Sequence, residues 1–359
     1  MLIERTVMTN IQNFRSIARR TGFERMPASF VMSPAIKKKF EDYKSETGFS
    51  YTPPRVDIPD LPAKCASEEV FHTYHGRTFK PGTHIDCYGV AHEPGSAAAF
   101  HMTKMYFPME SLEDPEQVYA YPLPDYRNAD PSEQIAAIKK AHENDQIAVG
   151  NMQCTVWERA WYMRGMENLM TDMMLDDPIA NAILDRVTEI SVLRAESYAK
   201  NGADVLFVGD DIGMQRTVMM SEELYCKWLK PRMTRVIAAA KAINPDIIVF
   251  YHSCGYVAPF IPHLIEIGVD VLDPVQPECM VFEAIHEMYG DKLSFNGTIG
   301  TQTTMPFGTP EEVRRQVFKN LDIAGSKGGL FVAPTHMLEP EVPIENLIAY
   351  INACEEYCK

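Results

Sequence analysis

His252 and Cys254, two metal-ligating residue types spaced two apart, close the apolar run Ile247-Ile248-Val249-Phe250-Tyr251, and Gly255 follows them. An unbroken hydrophobic run of that length reads as a strand buried on both faces of a parallel sheet. Side chains alternate along a strand, so positions 252 and 254 share a face, and the glycine permits a sharp turn after them. An imidazole and a thiolate on one face suit Zn2+. His336, in Pro334-Thr335-His336, adds a second nitrogen and leaves a fourth position for an acid such as Asp86, Glu93 or Glu158. The plainer reading of the same residues is a hydrogen-bonded histidine beside a small apolar filler.

More chemistry-bearing residues end other apolar runs. Asp204–Val208 leads into Gly209-Asp210-Asp211, and Gln146–Met152 leads to Gln153 with Trp157-Glu158 one helical turn on. Val269–Leu272 ends in Asp273-Pro274-Val275-Gln276, Leu293–Phe295 in Asn296 and a stretch reaching Gln302, and Leu330–Ala333 in Pro334-Thr335-His336. Each alone is as readily a cap or turn former, but their common phasing points to one site. Asp210, Asp211, Glu158 and Gln276 are expected to orient substrate or donate protons, and Asp86, Asn296 and Gln302 to contact a cofactor. Gly297-Thr298-Ile299-Gly300 lacks the following glycine and lysine of a phosphate loop, and no serine elbow is present.

The elements that must hold these residues alternate short apolar runs with longer amphipathic ones, the pattern of βα units and a parallel sheet. The expected fold class is α/β, a (β/α)8 TIM barrel with an N-terminal helical and irregular extension, whose chemistry lies at the C-terminal ends of the strands. With Ile85–Val90 placed first, seven strand runs are legible where a barrel needs eight. Ser221-Glu222-Glu223 and Thr309-Pro310-Glu311-Glu312 mark helix starts, and Gly202, Gly268 and Gly328-Gly329 mark helix ends just before strands. Residues 1–80 carry Met26-Pro27, Ser33-Pro34 and Tyr51-Thr52-Pro53-Pro54, with helical patterns around 8–20 and 34–46. They read as a lid or oligomerisation segment, which leaves a homo-oligomer open, and 81–359 as the catalytic barrel.

Lys and Arg total 34 against 49 Asp and Glu, and no basic cluster exceeds Lys37-Lys38-Lys39, so neither nucleic acid nor an anionic membrane is expected as partner. No apolar stretch approaches about 18 residues, and Met1 to Arg20 lack the apolar core of a signal peptide. Eight scattered cysteines suit reduced thiols, so the expected location is cytoplasmic.

Taken in order, Asp86-Cys87-Tyr88-Gly89, Tyr121-Pro122-Leu123-Pro124-Asp125, Gly202-Ala203-Asp204, Asp210-Asp211, His252-Ser253-Cys254-Gly255, Gln276, Gly297-Thr298-Ile299-Gly300-Thr301-Gln302 and Pro334-Thr335-His336 resemble the uroporphyrinogen decarboxylase superfamily over roughly residues 24–355. That superfamily is a (β/α)8 barrel holding the decarboxylase and many cobalamin-linked methyltransferases. The decarboxylase branch carries Trp-x-Met-Arg-Gln-Ala-Gly-Arg, whose arginines hold substrate carboxylates. Here the equivalent stretch is Phe30-Val31-Met32-Ser33-Pro34-Ala35-Ile36-Lys37, with serine and lysine in place of the two arginines.

The resemblance therefore implies the corrinoid-linked methyltransferase branch. Its zinc-dependent members use a His-x-Cys pair and a last-strand Cys; this chain keeps His252 and Cys254 and places His336 at the third position. A site richer in nitrogen suits a Lewis acid on an ether oxygen better than coenzyme M thiolate chemistry. The implied reaction moves methyl from a small methylated substrate, a methoxylated aromatic being favoured, to the cobalt of cobalamin, supplied in trans by a separate corrinoid protein. Methyl transfer from methylcorrinoid to tetrahydrofolate or a thiol, uroporphyrinogen decarboxylation, and a non-catalytic small-ligand-binding role are the alternatives.

Overall fold

Register is what aligns the chemical residues. The computed structural model describes residues 7–95 and 103–358. Its strands are β1 (Arg55–Ile58), β2 (His84–Ile85), β3 (Ala91–His92), β4 (Met105–Tyr106), β5 (Ile147–Gln153), β6 (Val205–Gly209), β7 (Ile248–His252), β8 (Val271–Asp273), β9 (Ser294–Asn296) and β10 (Leu330–Phe331). Seven form one curled sheet in the order β1-β5-β6-β7-β8-β9-β10, with every neighbour parallel. The eighth side, between β10 and β1, holds the extended segment 28–33. There the Leu338 N–H donates to Val31 O (2.8 Å), the Ser33 N–H donates to Leu338 O (2.9 Å), and Phe30 stacks on Tyr51 at 4.9 Å. The fold is thus the expected (β/α)8 barrel.

Two assignments differ from the expectation. Ile85–Val90 is not a barrel strand: Asp86 Oδ1 accepts the Tyr88 and Val90 N–H groups, the Asp86 N–H donates to Val90 O, and the chain turns back. Gly89 sits there at φ 83°, and a Cβ on it would lie 2.1 Å from Tyr121 Oη. This turn belongs to the small antiparallel sheet β2-β3-β4. The strand next to β5 is instead β1, inside the stretch 1–80 that the sequence reads as an extension. Its inward residues, Arg55 and Asp57, are polar and it follows two prolines, so it carries no apolar run.

The early residues also close the barrel's lower end. The helix Asn10–Ala18 starts with a capping box between Thr9 and Gln12 and buries Phe14, Ile17 and Ala18. Phe14 packs on Phe331 (4.4 Å) and Phe250 (6.0 Å), and Phe250 on Phe207 (5.6 Å), giving an aromatic floor. Arg15 and His142 both reach the buried Asp204 carboxylate at 2.9 Å, fixing that helix to the start of β6. On the outside, the helix Pro178–Asn201 packs so closely that a Cβ on Gly150 would lie 2.5 Å from the Tyr198 ring. The expected caps are present: Ser221 Oγ accepts the Leu224 N–H, Thr309 and Glu312 form a capping box, and Gly202 is left-handed after Asn201.

Cys65 and Cys87 are bonded as a disulfide, Cα atoms 5.4 Å apart, tying the segment before the helix Glu68–His75 to the Asp86 turn; this corrects the expectation of reduced thiols throughout. The other six cysteines are free. No helix among the described residues is long and apolar enough to cross a membrane.

Phe14→Ala removes the centre of the floor, and we expect it to destabilise the protein by about 3–5 kcal/mol. A denaturation midpoint unchanged from wild type would show that the floor contributes little.

Candidate functional site

Gln153, Gly209, His252 and Asp273 are successive register partners across β5, β6, β7 and β8, forming one inward row at the strands' C-terminal ends. The row holds together because position 209 is glycine: a Cβ there would lie 2.2 Å from the His252 carbonyl oxygen and 2.6 Å from its nitrogen. His252 Nδ1 lies 2.6 Å from Asp273 Oδ2, and the Asn296 amide donates to Asp273 Oδ1. With Nδ1–H donated to the carboxylate, Nε2 faces the cavity, where a bound metal ion would take the place of its proton. Burial pushes the imidazole down, but the Asp273 carboxylate and the adjacent Cys254 outweigh it and hold His252 well above its ordinary range. Burial pushes Asp273 up, and the His252 and Asn296 contacts more than reverse this.

The turn after β7 places the thiol. Gly255 is left-handed at φ 84°, where a Cβ would lie 2.7 Å from Met214 O, and its N–H donates to Gln276 Oε1 at 3.1 Å. The Cys254 N–H donates to Asp211 Oδ1 at 2.8 Å, which brings that carboxylate to the pair. Cys254 Sγ is 3.6 Å and Asp211 Oδ1 3.9 Å from His252 Nε2, and the ligand atoms of all three lie within 4.8 Å of one another. Tetrahedral zinc with nitrogen, sulfur and oxygen ligands needs separations of about 3.3–3.5 Å, so this donor set fits Zn2+ with a small inward adjustment. Among the described residues the third member of the cluster is Asp211, which the sequence placed among substrate-orienting residues; His336, expected at that place, lines the mouth beside it.

The mouth has two compartments. An outer one of about 330 Å³ is lined by Cys254, Gly255, Gln276 and Gln302, and an inner one of about 440 Å³ by Glu158, Asp211, His252, Asp273, Asn296 and Phe207. Thr335, His336 and Met337 line both, so His336 stands in the wall between them. The cluster straddles that wall, with the thiol facing outward and the imidazole and carboxylate inward.

The remaining expected residues divide by what they touch. Glu158 faces the inner compartment, accepting from Tyr162 Oη (3.1 Å) and from the Asp211 N–H (3.0 Å). Burial and then the Asp211 charge push its carboxyl up, so it holds a proton more readily than an ordinary glutamate. Asp210 points elsewhere: it accepts the Val156 and Glu158 N–H groups (3.1 and 2.9 Å), holding the start of the helix Trp157–Arg164. Burial and Glu158 push Asp210 up to about 8. Gln302 exchanges amide hydrogen bonds with Gln215 at 3.1 and 3.2 Å across the outer rim.

Asp86 lies in the turn beyond the barrel, bonded to Arg159 at 3.3 Å, and Glu93 pairs with Lys80 at 2.7 Å; neither lines the inner or the outer compartment. Trp157 and Tyr88 belong to the core, while Phe30, Tyr162 and Phe207 line the inner compartment. Sequence reading missed Asp273 as the partner of His252, although its position at a strand end was the available signal.

The family model "Uroporphyrinogen decarboxylase (URO-D)" matches residues 85–357. A methylated-thiol–coenzyme M methyltransferase of Methanosarcina mazei is 28% identical over 207 residues, 55% of this chain and 50% of that protein. A uroporphyrinogen decarboxylase of Pseudomonas syringae pv. tomato is 25% identical over 185 residues, 51% of this chain and 50% of that protein. The matched region thus spans about half the length of these relatives. A solved methyltransferase structure from Methanosarcina mazei superposes with a TM-score of 0.67 at 17% identity, covering 98% of this chain and 100% of that one, which shows the shared barrel fold.

Asp273→Asn leaves the side-chain shape but removes the anionic acceptor for Nδ1–H, and we expect zinc affinity to fall about 10–100-fold. Chelator competition reads the change; equal affinity in wild type and variant would separate Asp273 from the metal centre.

Proposed function

Because this chain belongs to the uroporphyrinogen decarboxylase family, and because its cluster lies in the wall between two compartments, we propose that it is a zinc-assisted methyltransferase acting between a small methylated substrate and a corrinoid presented by a separate protein. The two-sided cluster is the observation that carries the reading. A small donor in the inner compartment and a bulky acceptor approaching from the outer one meet at that wall. The methyltransferase name of the Methanosarcina mazei relative supports a methyltransferase reading. Decarboxylation of a polyanionic tetrapyrrole is disfavoured: Ser33 is buried, Lys37 lies on an exposed helix face, and the inner compartment offers one arginine.

His252, Cys254 and Asp211 would hold the metal. Zn2+, when bound, supplies a Lewis acid that makes an ether oxygen a better leaving group. Asp273 keeps His252 in the ligating tautomer, and the Cys254 N–H keeps Asp211 turned toward it. Glu158, raised by burial and by Asp211, retains the proton that an aryl ether must gain as its methyl group departs. A corrinoid, if presented at the mouth, would supply the methyl acceptor; the role of Glu158 is to give its proton to the departing ether oxygen, so that the demethylated product leaves as a phenol. Glu158 is then reprotonated from water. A methoxylated aromatic fits the lining of Phe30, Tyr162 and Phe207.

Mixing the zinc-loaded protein with methoxyphenols and cob(I)alamin is expected to convert Co(I) to methyl-Co(III), seen in the visible spectrum. Since the acid form of Glu158 is required, the rate should fall as pH rises through its elevated pKa. Glu158→Gln should lower the rate about 10²–10⁴-fold and abolish that limb. No methyl-cobalt formation from any methylated donor would end the methyltransferase reading.

A further inference from the structure

Among the described residues, three little-exposed arginines are each paired with an acid: Arg164 with Asp172 at 2.9 Å, Arg194 with Asp60 at 2.6 Å and Arg232 with Asp185 at 2.7 Å. Arg55 is different. It is the first residue of β1, its register partner is Ile147, and its side chain lines the inner compartment. No hydrogen bond or ion pair joins it to another described residue, and it is the one arginine or lysine among the described residues lining that space. The nearby carboxylates are already engaged. Asp273 is taken by His252 on one oxygen and by Asn296 on the other, and Asp57 accepts the Asn151 amide at 3.1 Å. Glu158 accepts from Tyr162 and the Asp211 N–H, and Asp211 accepts from the Cys254 N–H.

Arg55 is also at a useful place. Its guanidinium carbon is 5.9 Å from the centre of the Phe207 ring, and that ring also lies 6.2 Å, centre to centre, from the His252 ring. A flat apolar surface thus joins a free cationic fork to the metal-ligating cluster. A planar guanidinium matches a carboxylate in two parallel hydrogen bonds, and although Arg55 feels the charge of Asp273, no side chain among the described residues takes up its fork, which leaves those donors for an anionic occupant.

We propose that Arg55 is an anion subsite and that the substrate is a small methylated carboxylate, bound with its carboxylate in the guanidinium fork and its methyl-bearing heteroatom at the cluster. This rests on reading the cluster as a methyl-transfer centre, and it narrows the donor to molecules with an acid at one end and a methoxy or methylthio group at the other.

Calorimetric titration without corrinoid tests the subsite separately from turnover. The probes are meta-methoxybenzoate against its amide and (methylthio)acetate against its amide, each with zinc-loaded and chelator-stripped protein. The acid of at least one pair should bind about tenfold or more tightly than the amide, in both metal states, and the pair that does so tells an aryl ether from a thioether donor. Arg55→Gln should erase the preference and Arg55→Lys restore part of it, with zinc content and thermal midpoint reporting that the variants are folded. Equal binding of acid and amide by wild type, no binding of any probe, or a preference that survives Arg55→Gln would overturn the proposal. So would a preference that disappears with the metal, because the carboxylate would then sit on zinc. Acid-selective binding lost in Arg55→Gln but without methyl transfer to cob(I)alamin would uphold the subsite and overturn only the transfer reading.

Discussion

The hydrogen bond between His252 and Asp273 is the interaction on which the site depends. It exists because β7 and β8 pair in a register that sets the two residues side by side, and because glycine at 209 lets β6 approach the His252 backbone. A buried carboxylate alone would be expensive, as would a buried imidazolium. Paired at 2.6 Å, with Asn296 filling the other carboxylate oxygen, each compensates the other and fixes which nitrogen faces the cavity. Position, tautomer and orientation of the ligating nitrogen thus follow from strand register.

The same logic extends outward. The Gly255 turn carries the Cys254 thiol into the outer compartment while the Cys254 N–H draws Asp211 in from the end of β6. Asp210, one residue away, is committed to the backbone amides at the start of the helix Trp157–Arg164. That helix in turn presents Glu158 to Asp211. Two adjacent acids therefore have separate duties, one holding the scaffold and one completing the donor cluster.

Much of this was legible in the sequence where hydrophobic runs ended in polar residues. Six of the seven expected runs are strands of the sheet, and His252, Cys254, Asp211, Glu158, Gln276 and Asn296 all reach the mouth. The failures have a common physical cause. Strand β1 has inward residues that are polar and a proline pair before it, so periodicity hides it; the segment 28–33 is held by two backbone bonds, joining Val31 and Ser33 to Leu338, rather than by a long ladder. Ile85–Val90 is apolar enough to resemble a strand, yet Asp86 and Gly89 fold it into a turn. His336 is in the mouth, as its position after β10 suggests, but no spacing rule could show that Asp211 would reach the pair first.

The central claim is a mixed-donor centre built from His252, Cys254 and Asp211. Zinc-edge X-ray absorption on the purified full-length chain tests it most directly. The account predicts stoichiometric zinc with a single sulfur neighbour at about 2.3 Å and the remaining ligands nitrogen or oxygen at about 2.0–2.2 Å. A shell without sulfur, a shell with two or more sulfurs, or no bound zinc would contradict it.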